Sequence, residues 1–333
     1  MKSFRIQPYI VGSGRSALAL ERSLGVLNSS GYQILEPQRV KRNEALKKIS
    51  QDFSLLLIAN PHALHSERIL EGSRENFDLI VSEKPACVSK EEIEKLKNIK
   101  SPVAICHVYR QSWGIQTINK MIQEGSLGEI ITIEGRYWQS SAAQTSLHKP
   151  EHYASLQQWK NDTKLSGPFD ALIDIATHWT DTVLFLAKNK VKKNDIWLSH
   201  INSETSHRDT HVHINLEFEN KIKAMGSISK TVHGAGNHFE INVMGSKKTV
   251  TWNFLEADQL IIGEGTLSTK IRRNENTYGS GQSAFHALGW IEGYIEILKQ
   301  SLLHARGQSY VPYPTLAENL NMLELLLTKT PQK

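Results

Sequence analysis

A lysine, an aspartate and a histidine carry the chemistry that this sequence most readily supports. Lys84 stands in Glu83-Lys84-Pro85 at the end of a short apolar run, about seventy residues after the glycine loop Gly12-Ser13-Gly14-Arg15-Ser16-Ala17. Asp174 and His178 lie one helical turn apart in 169–186. There Leu172, Ile173, Ala176, Trp179, Val183 and Leu184 trace an apolar face, and Asp174, His178 and Asp181 share a polar stripe at i, i+4 and i+7. An imidazole that titrates near neutrality suits removal of a hydroxyl proton. A lysine beside it can hydrogen-bond the reacting oxygen and stabilise its developing negative charge. With a dinucleotide to receive hydride, the three make an alcohol dehydrogenation site. The competing reading of His178 is a core histidine satisfied by Asp174.

The glycine loop supplies the dinucleotide side. It follows an apolar run, Ile6–Val11, and precedes a helical pattern, Ala17–Leu27, as the fingerprint requires. Gly12 permits the tight turn, and Gly14 lets backbone approach a pyrophosphate at the helix N-terminus. Ala17 is the small third residue, with Ser13, Arg15 and Ser16 completing the loop. Glu36, about 20 residues downstream at the end of a second strand, is placed to hold a ribose 2′-hydroxyl. Arg39, Lys41 and Arg42 follow and would instead suit a 2′-phosphate. The expected cofactor is NAD, with NADP second.

These residues need a sheet to bring them together. Strands are expected at Ile6–Val11, Tyr32–Leu35, Leu55–Ala59, Asp78–Ser82 and Val103–Val108, with helices at Ala17–Leu27, His62–Glu71 and Ser89–Asn98, the last capped by Ser89 with Glu92 three residues on. Such alternation predicts a parallel, right-handed α/β sheet. Past residue 128 the pattern changes. Ile130–Trp138 alternates with period two, a long loop runs from Gln139 to Pro168, and a helix spans Phe169–Leu186. Six clustered strands follow: Trp197–Asn202, His211–Phe218, Lys221–Ser229, Phe239–Met244, Thr249–Asn253 and Leu260–Gly263. Strands without intervening helices predict an antiparallel sheet. Helices Ala284–His304 and Thr315–Thr328 close the chain. The expected fold is therefore an α/β Rossmann-like domain, 1–128, and an α+β domain with an open, mostly antiparallel sheet, 129–333. The last helix is expected to return to the first domain.

Composition narrows the function classes. At 333 residues two domains are expected. No apolar run approaches the roughly 18 residues of a membrane span. Cys87 and Cys106 are too few for a disulfide framework, and the N-terminus leads into a strand rather than a signal-peptide core, so a cytoplasmic setting is expected. The net charge of +5 is dispersed, without a basic tail or stripe, which argues against nucleic acid as partner. His207, His211 and His213 lack a nearby acid or cysteine to complete a metal shell, so no metal is expected.

The chain resembles the family of glucose–fructose oxidoreductase, inositol dehydrogenase and MocA. The matching stretches are Asn60-Pro61-His62-x-x-His65, Glu83-Lys84-Pro85, Gly125-x-Leu127-Gly128-Glu129-Ile130 and Asp174-x-x-x-His178-x-x-Asp181. The resemblance implies cofactor contacts for Asn60, Pro61, His62, His65, Glu83 and Lys84. It also implies a homodimer or homotetramer built through the open sheet face. The stretch from Glu36 to Leu55 is shorter than usual in the family, so a helix there is expected to be lost or reduced. Ser166-Gly167-Pro168 and Ala176 stand where the family often has glycine.

Substrate contacts are expected from Lys84, Asp174 and His178, from His107, Tyr109 and Arg110 after a strand end, and from Trp138, Lys149, Trp159 and Lys160 in or beside the long loop. Two tryptophans for stacking and two lysines for a diphosphate suggest a nucleotide-activated amino sugar. Since the resembling family includes enzymes of UDP-linked N-acetyl sugars, a UDP-N-acetylglucosamine-like substrate oxidised from 3-hydroxyl to ketone is expected. The alternatives are a dehydrogenase of a free sugar or inositol, an NAD-retaining glycosidase, and a non-catalytic NAD-binding regulator. If the tryptophans only anchor the loop and the lysines stay solvated, the nucleotide argument lapses.

Overall fold

The structure, a computed structural model, describes residues 4–29, 31–143, 158–200, 208–273 and 289–328. Its first sheet is wholly parallel. β1 (Phe4–Val11) pairs with β2 (Tyr32–Ile34) and β3 (Gln38–Val40) on one side and with β4 (Phe53–Ile58) on the other. β5 (Leu79–Ser82) and β6 (Val103–Ile105) continue the sheet. Successive residues of a strand point to opposite faces. Leu55, Leu56, Leu57 and Ile58 are all at 0% exposure, so both faces of β4 are covered. Helices α1 (Arg15–Ser29), α2 (His65–Arg74) and α3 (Lys90–Leu96) connect these strands, and α3 carries the expected capping box of Ser89 and Glu92.

Two departures here bear on the site. The second strand does not stop at Glu36: Pro37 only interrupts it, and β3 resumes beside β1 as far as Val40. Residues 41–52 then contain no helix, as the shortened sequence led us to expect. They are held instead by α2, with Arg68 donating to the Glu44 carbonyl at 2.8 Å and Glu71 accepting from the Leu46 N–H at 2.7 Å. A helix not anticipated, α4 (Trp113–Gln123), buries Ile115 and Ile118 but is short and broken in pattern by Gly114 and Asn119.

The second sheet has eight described strands: β7 (Ile130–Gln139), β8 (Val191–Ser199), β9 (His211–Phe218), β10 (Lys223–Ser229), β11 (Asn237–Gly245), β12 (Thr249–Asn253), β13 (Gln259–Glu264) and β14 (Leu267–Arg272). Their order is β14-β13-β12-β11-β7-β10-β9-β8, and only β7–β10 is a parallel pair. β8 begins six residues before the expected Trp197; its Lys192, Lys193 and Asp195 disguise it, yet they suit an exposed edge. β14 was missed because its residues are exposed nearly throughout, which leaves no alternation to detect.

The helix bearing Asp174 and His178 opens as a π turn, Leu172–Ala176, and continues as α5 (Thr177–Ala187). It docks on the second sheet through Trp179, which is fully buried. Gly135 and Gly226, register partners on β7 and β10, make its notch. A Cβ on Gly226 would lie 2.8 Å from the Trp179 ring, and one on Gly135 2.9 Å from its Nε1. At the chain's end α6 (Ile291–Ala305) packs against α1, and α7 (Leu316–Leu327) against β6 and α3. Both therefore cover the first sheet.

Candidate active site

Strand β5 delivers Lys84 to the rim of the first sheet, where a cis peptide joins it to Pro85. Its Nζ donates to Asp174 twice, to the carboxylate Oδ1 at 2.9 Å and to the backbone carbonyl. A π turn shifts the helical hydrogen-bond ladder by one residue, and such turns concentrate at functional sites. Here the Asp174 carbonyl oxygen accepts from a side chain of the other sheet. Oδ2 of Asp174 meets Lys160 Nζ and Lys230 Nζ, each at 2.7 Å, and His62 Nε2 lies 4.0 Å from Oδ1. Burial alone would raise this carboxyl; Lys160, Lys230, Lys84 and His62 together hold it well below the usual carboxylate range. Lys230 also donates to Asp170. Burial works against its charge, but Asp174 and Asp170 raise its pKa.

His178 faces aromatic rings rather than Asp174. It packs edge-on against Tyr109 at 4.9 Å and His107 at 5.6 Å, with Tyr137 at 6.0 Å. Its Nδ1 is buried and has no hydrogen-bond partner among the described residues, so a core histidine satisfied by Asp174 is not what the structure holds. Burial, then the charge of Lys84, pushes its pKa well below the ordinary imidazole value. At neutral pH it is an uncharged base. His107 is likewise pushed down to about 4 by burial. Its Nε2 accepts from the Asn319 amide at 2.7 Å, which leaves the ring proton on Nδ1.

The glycine loop has the shape that a dinucleotide needs. Gly12 has φ +117°, and a Cβ there would sit 2.4 Å from the Ala59 carbonyl oxygen. A Cβ on Gly14 would meet nothing within 4 Å, so the backbone there is open to a close-approaching group. Asn60, next to this loop, has both side-chain polar atoms buried without a partner among the described residues. Orphaned buried amides cost free energy unless a ligand satisfies them. Glu83 joins the loop to the reacting cluster: it accepts from Tyr294 Oη of α6, from Ser16 of the glycine loop and from the Lys84 N–H at 3.2 Å.

Several expected site residues stand elsewhere. Glu36 is exposed and lies midway along the interrupted strand, level with Gln7, whose amide donates to its carbonyl at 2.8 Å. It is not at the strand's end. Both ring nitrogens of His65 face backbone carbonyls, of Asn60 and Pro85, each at 2.7 Å, so this residue braces two loops from behind. Pro61 starts the short helical turn that presents His62. Arg110 is buried and consumed by a bidentate pair with Asp181, plus Glu318 at 3.0 Å. It fixes α5 to the loop after β6. The Tyr109 hydroxyl is shared with Tyr137 at 2.9 Å and Asn237 at 3.0 Å.

Trp138 is on the wrong face. Tyr137 and Ile133 point inward with Gly135, so alternation puts Trp138 outward, where it donates to Ser227 at 3.2 Å and lines a groove with Arg136, Trp197 and His213. Trp159 and Lys160 do reach the cluster; the Trp159 ring lies 4.9 Å from that of His62. Lys149 falls outside the described residues. Lys230 was overlooked, although strand parity carried the signal: it follows Ala224, Gly226 and Ile228 on the inward face of β10.

Residues 115–251 match the GFO/IDH/MocA C-terminal domain. A levoglucosan dehydrogenase of Pseudarthrobacter phenanthrenivorans is 24% identical over 280 residues, covering 74% of this chain and 69% of its own. A levoglucosan dehydrogenase structure in complex with NADH and levoglucosan superposes with a TM-score of 0.81 at 19% identity, over 97% of this chain and 95% of that one. An inositol dehydrogenase homologue from Azotobacter vinelandii, complexed with NADH and myo-inositol, gives 0.77 at 16% identity, over 97% and 93%. At such identities the structural likeness concerns the fold.

Proposed function

We propose that this chain, which belongs to the GFO/IDH/MocA family, is an NAD-dependent oxidoreductase that oxidises a secondary hydroxyl of a free sugar or cyclitol. The observation that carries the reading is the convergence of Lys84, from the rim of the first sheet, with Asp174 and His178, from the helix docked on the second, in one buried cluster tied to the glycine loop through Glu83 and Ser16. Residues 1–128 would bind the dinucleotide and 129–333 the sugar. Gly12, Gly14 and Asn60 fit a bound dinucleotide, with its pyrophosphate on the α1 N-terminus. When bound, NAD supplies the hydride acceptor.

The chain's own residues handle the proton and the charge. Neutral His178 takes the hydroxyl proton, and its depressed pKa keeps it unprotonated at neutral pH. Lys84 donates to the same oxygen and stabilises it as negative charge builds. Asp174 holds Lys84 in place and offers an acceptor to a neighbouring sugar hydroxyl. Burial keeps water from the reacting centre, which strengthens each of these interactions.

A nucleotide-activated amino sugar loses its support. Trp138 faces away, Arg110 is committed to Asp181, and Lys160 is spent on Asp174. The relatives' small-ring ligands, levoglucosan and myo-inositol, favour a compact polyol instead. The outer face of the second sheet, with Trp197 at 62% exposure, would join subunits into a homodimer or homotetramer.

The test is NADH formation on a panel of monosaccharides, levoglucosan, myo-inositol and UDP-N-acetylglucosamine. We expect turnover on a free ring compound, with Lys84→Ala and His178→Ala each lowering it at least about 10²-fold while dinucleotide affinity changes far less. Near-normal turnover in either folded variant removes that residue from the mechanism, and faster turnover of the nucleotide sugar restores the larger substrate.

A further inference from the structure

The helix that closes the chain reaches the reacting centre through one buried amide. The Pro314 carbonyl accepts from the Ile105 N–H at 2.9 Å and Thr315 bridges Ala104, so the start of α7 is bound to β6. Asn319, at the end of its first turn and 1% exposed, spans two loops of the first sheet. Its Oδ1 accepts at 3.0 Å from the N–H of Ala86, just past Lys84 and Pro85, and its Nδ2 donates to His107 Nε2 at 2.7 Å. A backbone N–H can only donate, so Ala86 fixes which end of the amide faces His107. With Nε2 held as an acceptor and the ring kept uncharged by burial, the His107 proton stays on Nδ1. That N–H is buried and has no acceptor among the described residues. Its ring meets His178 edge-on at 5.6 Å, and His178 Nδ1 is orphaned too, so these nitrogens do not satisfy each other. Two neighbouring unsatisfied ring nitrogens mark a gap in the cluster that an oxygen of a ligand would fill.

We infer that Asn319 is a positioning residue: by locking the His107 tautomer it reserves Nδ1–H as a donor for an acceptor oxygen of the bound ligand. Asn319 thereby decides what His107 recognises, an acceptor and never a second donor. Two ligand groups share that chemistry, the carboxamide oxygen of the dinucleotide and a hydroxyl oxygen of the sugar. The ligand's identity rests on the site proposed above; the tautomer does not.

Ring-nitrogen NMR of the histidine-labelled full chain, without ligand, reads the tautomer, and His107→Phe identifies the signal. His107 is expected to be protonated on Nδ1 in the parent and to lose that signature in Asn319→Leu. Binding is the second measurement, with NADH titration for the dinucleotide arm and KM for the best free-ring substrate at saturating NAD for the sugar arm. Asn319→Leu and His107→Phe should each weaken the same arm at least about fivefold, and the arm that weakens identifies which oxygen His107 meets. An Nε2-protonated His107 in the parent overturns the lock without any variant having to fold. A tautomer that persists in Asn319→Leu removes Asn319 from the role, and unchanged affinity on both arms removes the donor. A parent that binds no dinucleotide overturns the dehydrogenase site itself, while its tautomer still decides the lock.

Discussion

Lys230→Met separates the cage around Asp174 into its parts. Lys230 is 3% exposed, and its ammonium contacts two carboxylates, Asp174 Oδ2 at 2.7 Å and Asp170 Oδ1. Removing one partner of a buried ion pair costs about 3–5 kcal/mol, because a charge is left without compensation. Asp174 keeps Lys84 at 2.9 Å and Lys160 at 2.7 Å, so only Asp170 is stranded and the lower end applies, about 3 kcal/mol. That is roughly a 150-fold drop in the folded-to-unfolded ratio at 25 °C. Urea unfolding at pH 7 should show a lower midpoint with an unchanged slope. At that pH Lys230 and Asp174 are both charged. The raised pKa of Lys230 makes its contribution fully present below the unfolded lysine value and lost only as pH rises through the folded one. The depressed pKa of Asp174 makes its contribution present above the unfolded carboxylate value and lost as pH falls through the folded one. Adding Asp170→Asn to Lys230→Met removes the stranded charge and should recover at least about 1 kcal/mol. A single-variant loss under about 1 kcal/mol, or no recovery in the double variant, would refute the cage.

Two further outcomes follow from the same geometry. His178 and His107 have folded pKa values below the ordinary imidazole value, so the unfolded chain binds more protons between that value and theirs; stability should fall as pH drops below about 6.5, and oxidation rates should hold through neutrality and decline only on that acid side. Urea midpoints and rates compared at pH 7 and pH 5 check both, and a midpoint that rises at pH 5 contradicts the assignment. Arg110→Met, which strands buried Asp181, should cost about 3–5 kcal/mol of stability yet change the sugar KM less than about threefold below its melting temperature. A large KM change with little loss of stability would return Arg110 to the substrate.

Much of the site was legible one residue at a time. A glycine between strand and helix, a lysine at a strand end and an acid–imidazole pair one helical turn apart are local patterns, and local periodicity also revealed the four covered residues of β4 and the helix carrying His178. Those patterns record the chemistry of side chains and the face on which each lies. They do not record which strand stands opposite which. Whether Glu36 or Lys41 sits beside Gly12 depends on where the chain rejoins β1 after Pro37. Whether Arg110 is free depends on Asp181, seventy-one residues away, and the cage of Asp174 draws Lys84 and Lys230 from opposite directions along the chain. Trp138 reads as a stacking platform until alternation and the position of α5 turn it outward. Residue types and spacing thus determined which reaction the chain is equipped for. Register and long-range charge pairing, settled only when the two sheets and α5 pack, decided which of the equipped residues meet.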